Sequence, residues 1–320
     1  MNDVRELIVN KVTDEAESIR SFEFVCPDGD LLPGFAAGAH IDVHTPEGTT
    51  RQYSLLNDER ERHRYVIAVL REEEGRGGSR WMHDAVEAGM RVRIGTPRNA
   101  FPLEACSAPI ILIAGGIGIT PLLAMARSLE AQGKPYVLHF VTRSMARTPF
   151  LSQLRQEPFA EKVVLYRGDC PDEPRFDAEK LIGSLCPGSH IYLCGSVGFM
   201  DAVCAAVQVR SDIVLHKEYF AAPAVQPTGD EEAFTLRLVR SGVEVLVPSD
   251  KTIVEVIAEH GIECSLNCEQ GICGTCLTTV ISGEIDHRDF YLSATDRARG
   301  DQMLICVSRA KHGSVLVLDL

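Results

Sequence analysis

Three patterns of apolar and polar positions succeed one another along the chain. Over residues 1–102 the apolar positions fall in short runs, Arg5–Val12, Ser21–Val25, Ala39–His44, Arg64–Val69 and Arg91–Thr96, with turns rich in Gly, Pro and Asp between them. Short strands broken in this way predict an antiparallel β-barrel. From residue 109 to 220 apolar strand candidates at Ile110–Ala114, Tyr136–Val141, Val163–Tyr166 and Ile191–Cys194 alternate with helical stretches such as Pro121–Gln132 and Val197–Val207. That alternation predicts an α/β domain, a parallel sheet with helices on its faces. Residues Ala222–Glu232 are rich in Pro, Gly and acid, have nothing to bury, and read as an exposed linker.

Beyond it, Phe234–Arg240 and Val243–Val247 alternate around Ser241-Gly242 as a β-hairpin does. Thr252–His260 has helical spacing, with Asp250 or Thr252 as N-cap and Gly261 as a stop, and Cys276–Ile281 reads as a strand. The expected organisation is a barrel over 1–103, an α/β domain over 104–222, a linker over 223–232 and a small α+β domain over 233–320. No internal repeat or low-complexity segment interrupts it.

Composition narrows the class. Apolar residues make up 45% of the chain and charged residues 24%, both ordinary for a globular protein of 320 residues. No apolar stretch is long enough to cross a bilayer, and the opening Met1-Asn-Asp-Val-Arg-Glu-Leu lacks the apolar core of a secretory signal. With eleven cysteines, this predicts a cytoplasmic protein whose thiols serve metal or redox roles, not disulfides. The net charge of −13 argues against nucleic acid as a partner. Residues 233–320 carry 12 acidic and 8 basic side chains, leaving −9 for the rest, so the acidity is spread and marks no docking face.

The cysteines carry the sharpest signal. Cys268, Cys273 and Cys276, followed by Cys306 thirty residues on, form C-x4-C-x2-C…C, the plant-type ligand spacing of a [2Fe–2S] cluster. Three thiolates from one tight loop and a fourth from elsewhere can converge on two irons a few ångströms apart. Gly271 and Gly274 sit inside the loop, where backbone must approach closely and neighbouring N–H groups can donate to sulfur. A structural zinc site is the alternative, although zinc sites favour paired C-x2-C ligands. Cys264 reads as a bystander, with a ligand exchange left open.

Two further segments bear on chemistry. The strand Ile110–Ala114 runs into Gly115-Gly116-Ile117-Gly118-Ile119-Thr120-Pro121, a turn whose N–H groups can face a phosphate. It is not the dinucleotide fingerprint, and Thr142-Arg143-Ser144 stands where an acidic ribose ligand would end the next strand. A tight turn without a ligand is the bland alternative. Tyr192-Leu193-Cys194-Gly195-Ser196 also ends a strand in a small-residue turn, so both turns would face one crevice. In the barrel, Arg51-Gln52-Tyr53-Ser54 precedes Gly75-Arg76-Gly77-Gly78-Ser79. An aromatic ring, a guanidinium and glycine N–H groups together suit a planar phosphorylated cofactor. A flavin is the usual converter between a two-electron hydride donor and a one-electron cluster.

The order of these motifs resembles the phthalate dioxygenase reductase family, which includes vanillate demethylase reductases. Pro97-Arg98-Asn99-x-Phe101-Pro102, His216-x-Glu218-x-Phe220, Asp286-His287-Arg288-Asp289 and Leu316–Leu320 add to the likeness. The resemblance implies an FMN-binding barrel, an NAD domain and a C-terminal β-grasp ferredoxin domain. Arg51, Tyr53, Ser54, Gly77, Gly78 and Ser79 match the flavin-binding positions, with Thr120 nearby. Phe220 matches the aromatic against the flavin and Glu218 the adjacent acid. Gly116, Cys194 and Gly195 match positions beside the nicotinamide, and Gly115 and Gly118 of the same glycine turn complete the cofactor-binding set with Phe220. Ser54, Cys194, Glu218 and Phe220 are thus the candidate catalytic set, and Cys268, Cys273, Cys276 and Cys306 the metal ligands. One departure is Ser196, where the family pattern has proline, so the φ that proline fixes is lost.

The expected function is that of an NADH-dependent reductase, passing single electrons to a Rieske-type oxygenase through FMN and a [2Fe–2S] cluster. A redox sensor without an oxygenase is the alternative. A monomer that binds neither nucleic acid nor membrane is expected. Arg143 keeps NADPH open, and FMN over FAD rests on the resemblance alone.

Overall fold

The computed structural model describes residues 4–156, 158–221, 232–266, 268–311 and 314–320. The chain divides into two compact units, Met1–Phe220 and Ala221–Leu320. The linker expected over 223–232 lies outside the described residues except for Glu232.

The first unit opens with β1 (Val4–Ala16), β2 (Ile19–Val25), β3 (Ala39–His44), β4 (Thr50–Ser54), β5 (Tyr65–Leu70), α1 (Gly78–Asp84), β6 (Arg91–Gly95) and the short β7 (Arg98–Asn99). Their order is β4-β3-β6-β1-β2-β5, antiparallel throughout, with β7 on β3. A bridge between Leu55 and Ile67 brings the two outer strands together, as barrel closure requires. β1 is longer than expected because two register shifts, at Val9/Lys11 and Asp14/Ala16, let it bend around the barrel instead of ending. The barrel is filled by inward residues including Val9, Phe22, Phe24, Ile41, Val43, Leu55 and Ile67.

Next come β8 (Ile110–Gly115), α2 (Ile119–Ala131), β9 (Tyr136–Thr142), α3 (Leu151–Leu154), β10 (Val163–Arg167), α4 (Ala178–Ser184), β11 (His190–Cys194), α5 (Val197–Gln208) and β12 (Val214–Glu218). The sheet is wholly parallel, in the order β10-β9-β8-β11-β12. The apolar run of β8 is explained by burial on both faces. Leu112 and Ala114 pack with α2, and Ile111 and Ile113 with α4 and α5. The α2 core also takes in Ile19, Ala37, Leu56, Ala68 and Phe101, so barrel and parallel sheet share one core.

The second unit contains β13 (Phe234–Leu238), β14 (Val243–Val247), α6 (Ile253–Glu259), β15 (Leu277–Ser282), β16 (Ile285–Asp286), α7 (Ala294–Arg299), β17 (Gln302–Leu304), β18 (Arg309–Ala310) and β19 (Leu316–Leu318). Its main sheet runs β14-β13-β19-β15-β17, with β13 and β19 parallel and the other pairs antiparallel, the β-grasp arrangement. Thr252, not Asp250, caps α6, in a reciprocal capping box with Glu255. Leu236, Leu238, Leu316 and Leu318 are fully buried where β13 and β19 pair, each contributing about 1.5–3 kcal/mol by burial. No helix among the described residues is long and apolar enough to cross a membrane.

Candidate functional site

The strand order of the first unit reverses between β8 and β11, and in open parallel sheets ligands bind outside the strand ends at such a point. Register places Ala114, Cys194 and Glu218 side by side there, where β11 and β12 end and one residue before the end of β8. The glycine-rich turn follows as a 3-10 segment, Gly116–Gly118, leading into α2, so the helix starts two residues before Pro121. A Cβ on Gly118 would lie 2.4 Å from the Cys194 carbonyl carbon and oxygen, so the β8 turn rests on the β11 turn. Thr120 is buried, with its hydroxyl spent on the Ile117 carbonyl.

Phe199 of α5 completes this junction, and sequence reasoning missed it. Its ring lies 2.6 Å from where a Cβ on Gly115 would stand and 2.7 Å from that of Gly195. It occupies one position of a helix that is apolar on most sides, so no periodicity marks it. Ser196 adopts φ −66 and ψ 150, which is the φ that proline would impose.

The barrel supplies the facing wall. Arg51 donates to the Thr50 and Arg76 carbonyls at 2.8 Å each, which ties β4 to the Gly75–Ser79 loop. Gly78 is packed against the Arg51 side chain, where a Cβ would come within 2.5 Å of Cγ. Gly78 and Ser79 begin α1, a helix absent from the sequence expectation because the glycines read as a simple turn. The Ser79 hydroxyl accepts the Glu72 N–H at 3.1 Å. Burial and the nearby Arg76 cation both disfavour the charged form of Arg51, a pair of like charges suited to an anion. Burial also raises the Tyr53 hydroxyl well above the ordinary tyrosine range.

Ser54 brings the two walls together: it stands close enough to Glu218 for its hydroxyl to favour the charged carboxylate. The carboxyl oxygen Oε2 is buried without a hydrogen-bond partner. Burial pushes Glu218 up to about 8, against the opposing Ser54 hydroxyl. Burial likewise raises the Cys194 thiol, with Glu218 adding to the effect and the Gly195 N–H opposing it. Cys194 is therefore a neutral thiol at pH 7. Phe220, after β12, is 40% exposed.

The Glu218 shift has a defined sign. A carboxyl raised from 4.5 to about 8 on folding leaves stability fully present below pH 4.5 and removes it progressively as pH rises towards 8. Thermal melts of the flavin-free protein and its Glu218→Gln variant should therefore diverge in favour of Gln between pH 5 and pH 8.5. A constant difference would show that Glu218 ionises as an exposed acid does.

In the second unit the four predicted cysteines are all buried, at 4–7% exposure. They are drawn together two and two, Cys268 with Cys273 and Cys276 with Cys306, as ligands for a pair of irons would be. The neighbouring Cys268 thiol and the Thr275 hydroxyl and N–H hold Cys273 below its usual range. The Gln270 N–H lies 3.4 Å from the Cys268 sulfur and the Thr275 N–H 3.5 Å from that of Cys273. Gly271 and Gly274 both have φ +71. A Cβ on Gly274 would strike the Tyr291 ring at 2.4 Å, and one on Gly271 the Val307 side chain at 2.7 Å. Cys264 is partly buried and packs at the edge of this core. Buried thiols in pairs, met by N–H donors, fit a [2Fe–2S] cluster.

Residues 236–311 match the family of 2Fe-2S iron-sulfur cluster binding domains. The chain is 44% identical over 317 residues to a vanillate O-demethylase oxidoreductase of Pseudomonas sp. (strain HR199 / DSM 7063), covering 98% of this chain and 99% of the relative. Among solved structures, a phthalate dioxygenase reductase described as a modular structure for electron transfer from pyridine nucleotides to [2Fe-2S] superposes with a TM-score of 0.72. It is 39% identical, with 99% of this chain and 98% of that one covered. An intact type IV self-sufficient cytochrome P450 monooxygenase gives a TM-score of 0.91 at 36% identity. The match covers 99% of this chain and 41% of that longer one.

Proposed function

Since the chain belongs to the family of vanillate demethylase and phthalate dioxygenase reductases, we propose that its partner is a Rieske-type oxygenase acting on an aromatic acid or ether. It is the NADH-dependent reductase component of an oxygenase system, with FMN and a [2Fe–2S] cluster as its cofactors. Bound FMN takes up two electrons with a hydride and releases them singly, and the cluster carries one at a time. The sensor alternative gains no support from relatives of this kind.

The residues contribute binding and orientation more than acid–base chemistry. Arg51, Tyr53, Ser54, Gly77, Gly78 and Ser79 are proposed to hold FMN, with Thr120 beside them. Their fit rests on the paired Arg51 and Arg76 cations and on the unpartnered Glu218 oxygen inside the crevice. Gly115, Gly116, Gly118, Cys194 and Gly195 are proposed to admit the nicotinamide. The close backbone contact between the two turns supports this, since it sets two glycine-containing main-chain segments side by side at the strand ends. The core shared by barrel and parallel sheet carries the reading, because it sets Ser54 of the barrel beside Glu218 in the row of Ala114 and Cys194. Glu218 would keep its proton near neutral pH and so add no charge beside the cofactor, while Phe220 would cover it.

We further propose a monomer in the cytoplasm, with boundaries near 1–103, 104–222 and 233–320. Purified protein should yield FMN on extraction, two irons and two sulfides per chain, and rapid NADH-dependent reduction of cytochrome c. FAD in the extract, or no turnover with all cofactors present, would overturn the assignment.

A further inference from the structure

The Asp286–Asp289 stretch is not used by any of the roles above, yet its last residue is the most enclosed charge among the described residues of the second unit. The Asp289 side chain has no exposure. Its Oδ2 accepts the N–H groups of Tyr291 (3.1 Å) and Leu292 (2.7 Å), which fixes residues 289–292 as a turn. Arg297, on α7, stands 3.5 Å from the same oxygen and also donates to the Asp289 main-chain carbonyl.

That carbonyl belongs to the Asp289–Phe290 peptide, whose N–H, on Phe290, donates to the Gly271 carbonyl at 2.8 Å. The Gly271 carbonyl belongs in turn to the Gly271–Ile272 peptide of the ligand loop, whose N–H, on Ile272, lies on the side of Cys268 and favours its thiolate, next to the Gln270 N–H at 3.4 Å from the same sulfur. A guanidinium and two peptide groups are thereby in series, each donating to the next, with the last N–H turned to the Cys268 sulfur. Hydrogen bonds in such a chain polarise one another, and a cation at its head strengthens the donor at its end. Hydrogen bonds to cluster sulfurs are one of the levers on reduction potential.

We propose that Arg297, clamped by Asp289, is a positioning residue that tunes the [2Fe–2S] cluster through this two-peptide relay onto Cys268. The inference rests on the cluster reading of the four cysteines, which metal and sulfide content test separately. Arg297 raises the potential by strengthening the Ile272 N–H bond to sulfur. No atom moves in the process; the relay only biases where the single electron resides.

The test uses the full-length protein loaded with both cofactors. Arg297→Met should lower the cluster midpoint potential in an EPR-monitored titration. It should also diminish the shift of the Fe–S(Cys) stretching bands on exchange into D2O, which reads hydrogen bonding at sulfur. Arg297→Lys, which keeps the charge and a donor, should recover part of both. An unchanged potential, or a lowered potential with the isotope shift intact, overturns the relay. Should Arg297→Met lose the cluster, Arg297→Lys carries the test alone: a lowered potential together with a diminished isotope shift supports the relay, and wild-type values of both overturn it.

Discussion

Replacing Cys273 with Ser should abolish the cluster and reduce NADH-dependent cytochrome c reduction to background, while NADH-to-ferricyanide turnover persists. The argument starts from burial. Cys273 is 6% exposed, paired with Cys268, and receives the Thr275 N–H, so its sulfur is enclosed and oriented as a ligand. A serine hydroxyl there is a harder donor with a far less accessible anion, and iron–sulfur clusters select thiolate. The flavin reaction survives because the two units have separate cores. Residues 234–320 bury one cluster of side chains that includes none from the first unit. Visible and EPR spectra of the variant, with both acceptors assayed on one preparation, test this. Loss of both activities together would mean that the units do not fold and function independently.

The second large effect is expected at Gly118. Alanine there would drive a Cβ to 2.4 Å from the Cys194 carbonyl and 2.6 Å from the Gly195 nitrogen. Both belong to the end of a central strand and its turn, which cannot rotate aside as a flexible side chain would. Overpacking a site of this kind costs about 1–3 kcal/mol or more, here with displacement of the two turns that flank the crevice. Gly118→Ala should therefore lower the melting temperature and raise KM for NADH together. Gly133→Ala, just beyond the C-terminal end of α2, is the control. Its φ of +63 puts alanine at a penalty of roughly 1–2 kcal/mol, but its Cβ would enter open space. The Gly133 variant should lose some stability and keep its KM. The reverse ranking would show that the close approach of the two turns does not govern nucleotide access.

Much of this was legible in the chain itself. The shift from short strands to strand–helix alternation marked the barrel and the parallel sheet, and the β13–β14 hairpin appeared where Ser241-Gly242 stands. Misses fell where local signals are weak or shared. Helix α1 was hidden because glycines advertise a turn, and α7 was overlooked although Ser293 and Asp296 spell a capping box. Strand β12, Val214–Glu218, is partly exposed at the sheet edge and so lacks the continuous apolar run that betrayed its neighbours.

The available chemistry is written in short segments: C-x4-C-x2-C…C, the two glycine turns and Arg51-Gln52-Tyr53-Ser54 are local, because ligand spacing and backbone clearance are properties of a few consecutive residues. Which of these groups meet is set by the packing of the folded chain. Parallel register set Cys194 beside Glu218, and the shared core brought Ser54 of the barrel to that carboxyl. The β-grasp turn delivered Arg297 and Asp289 to the back of the Cys268 loop. These encounters join residues far apart in the chain, and they depend on packing and strand order, which leave no periodic trace in the residues concerned.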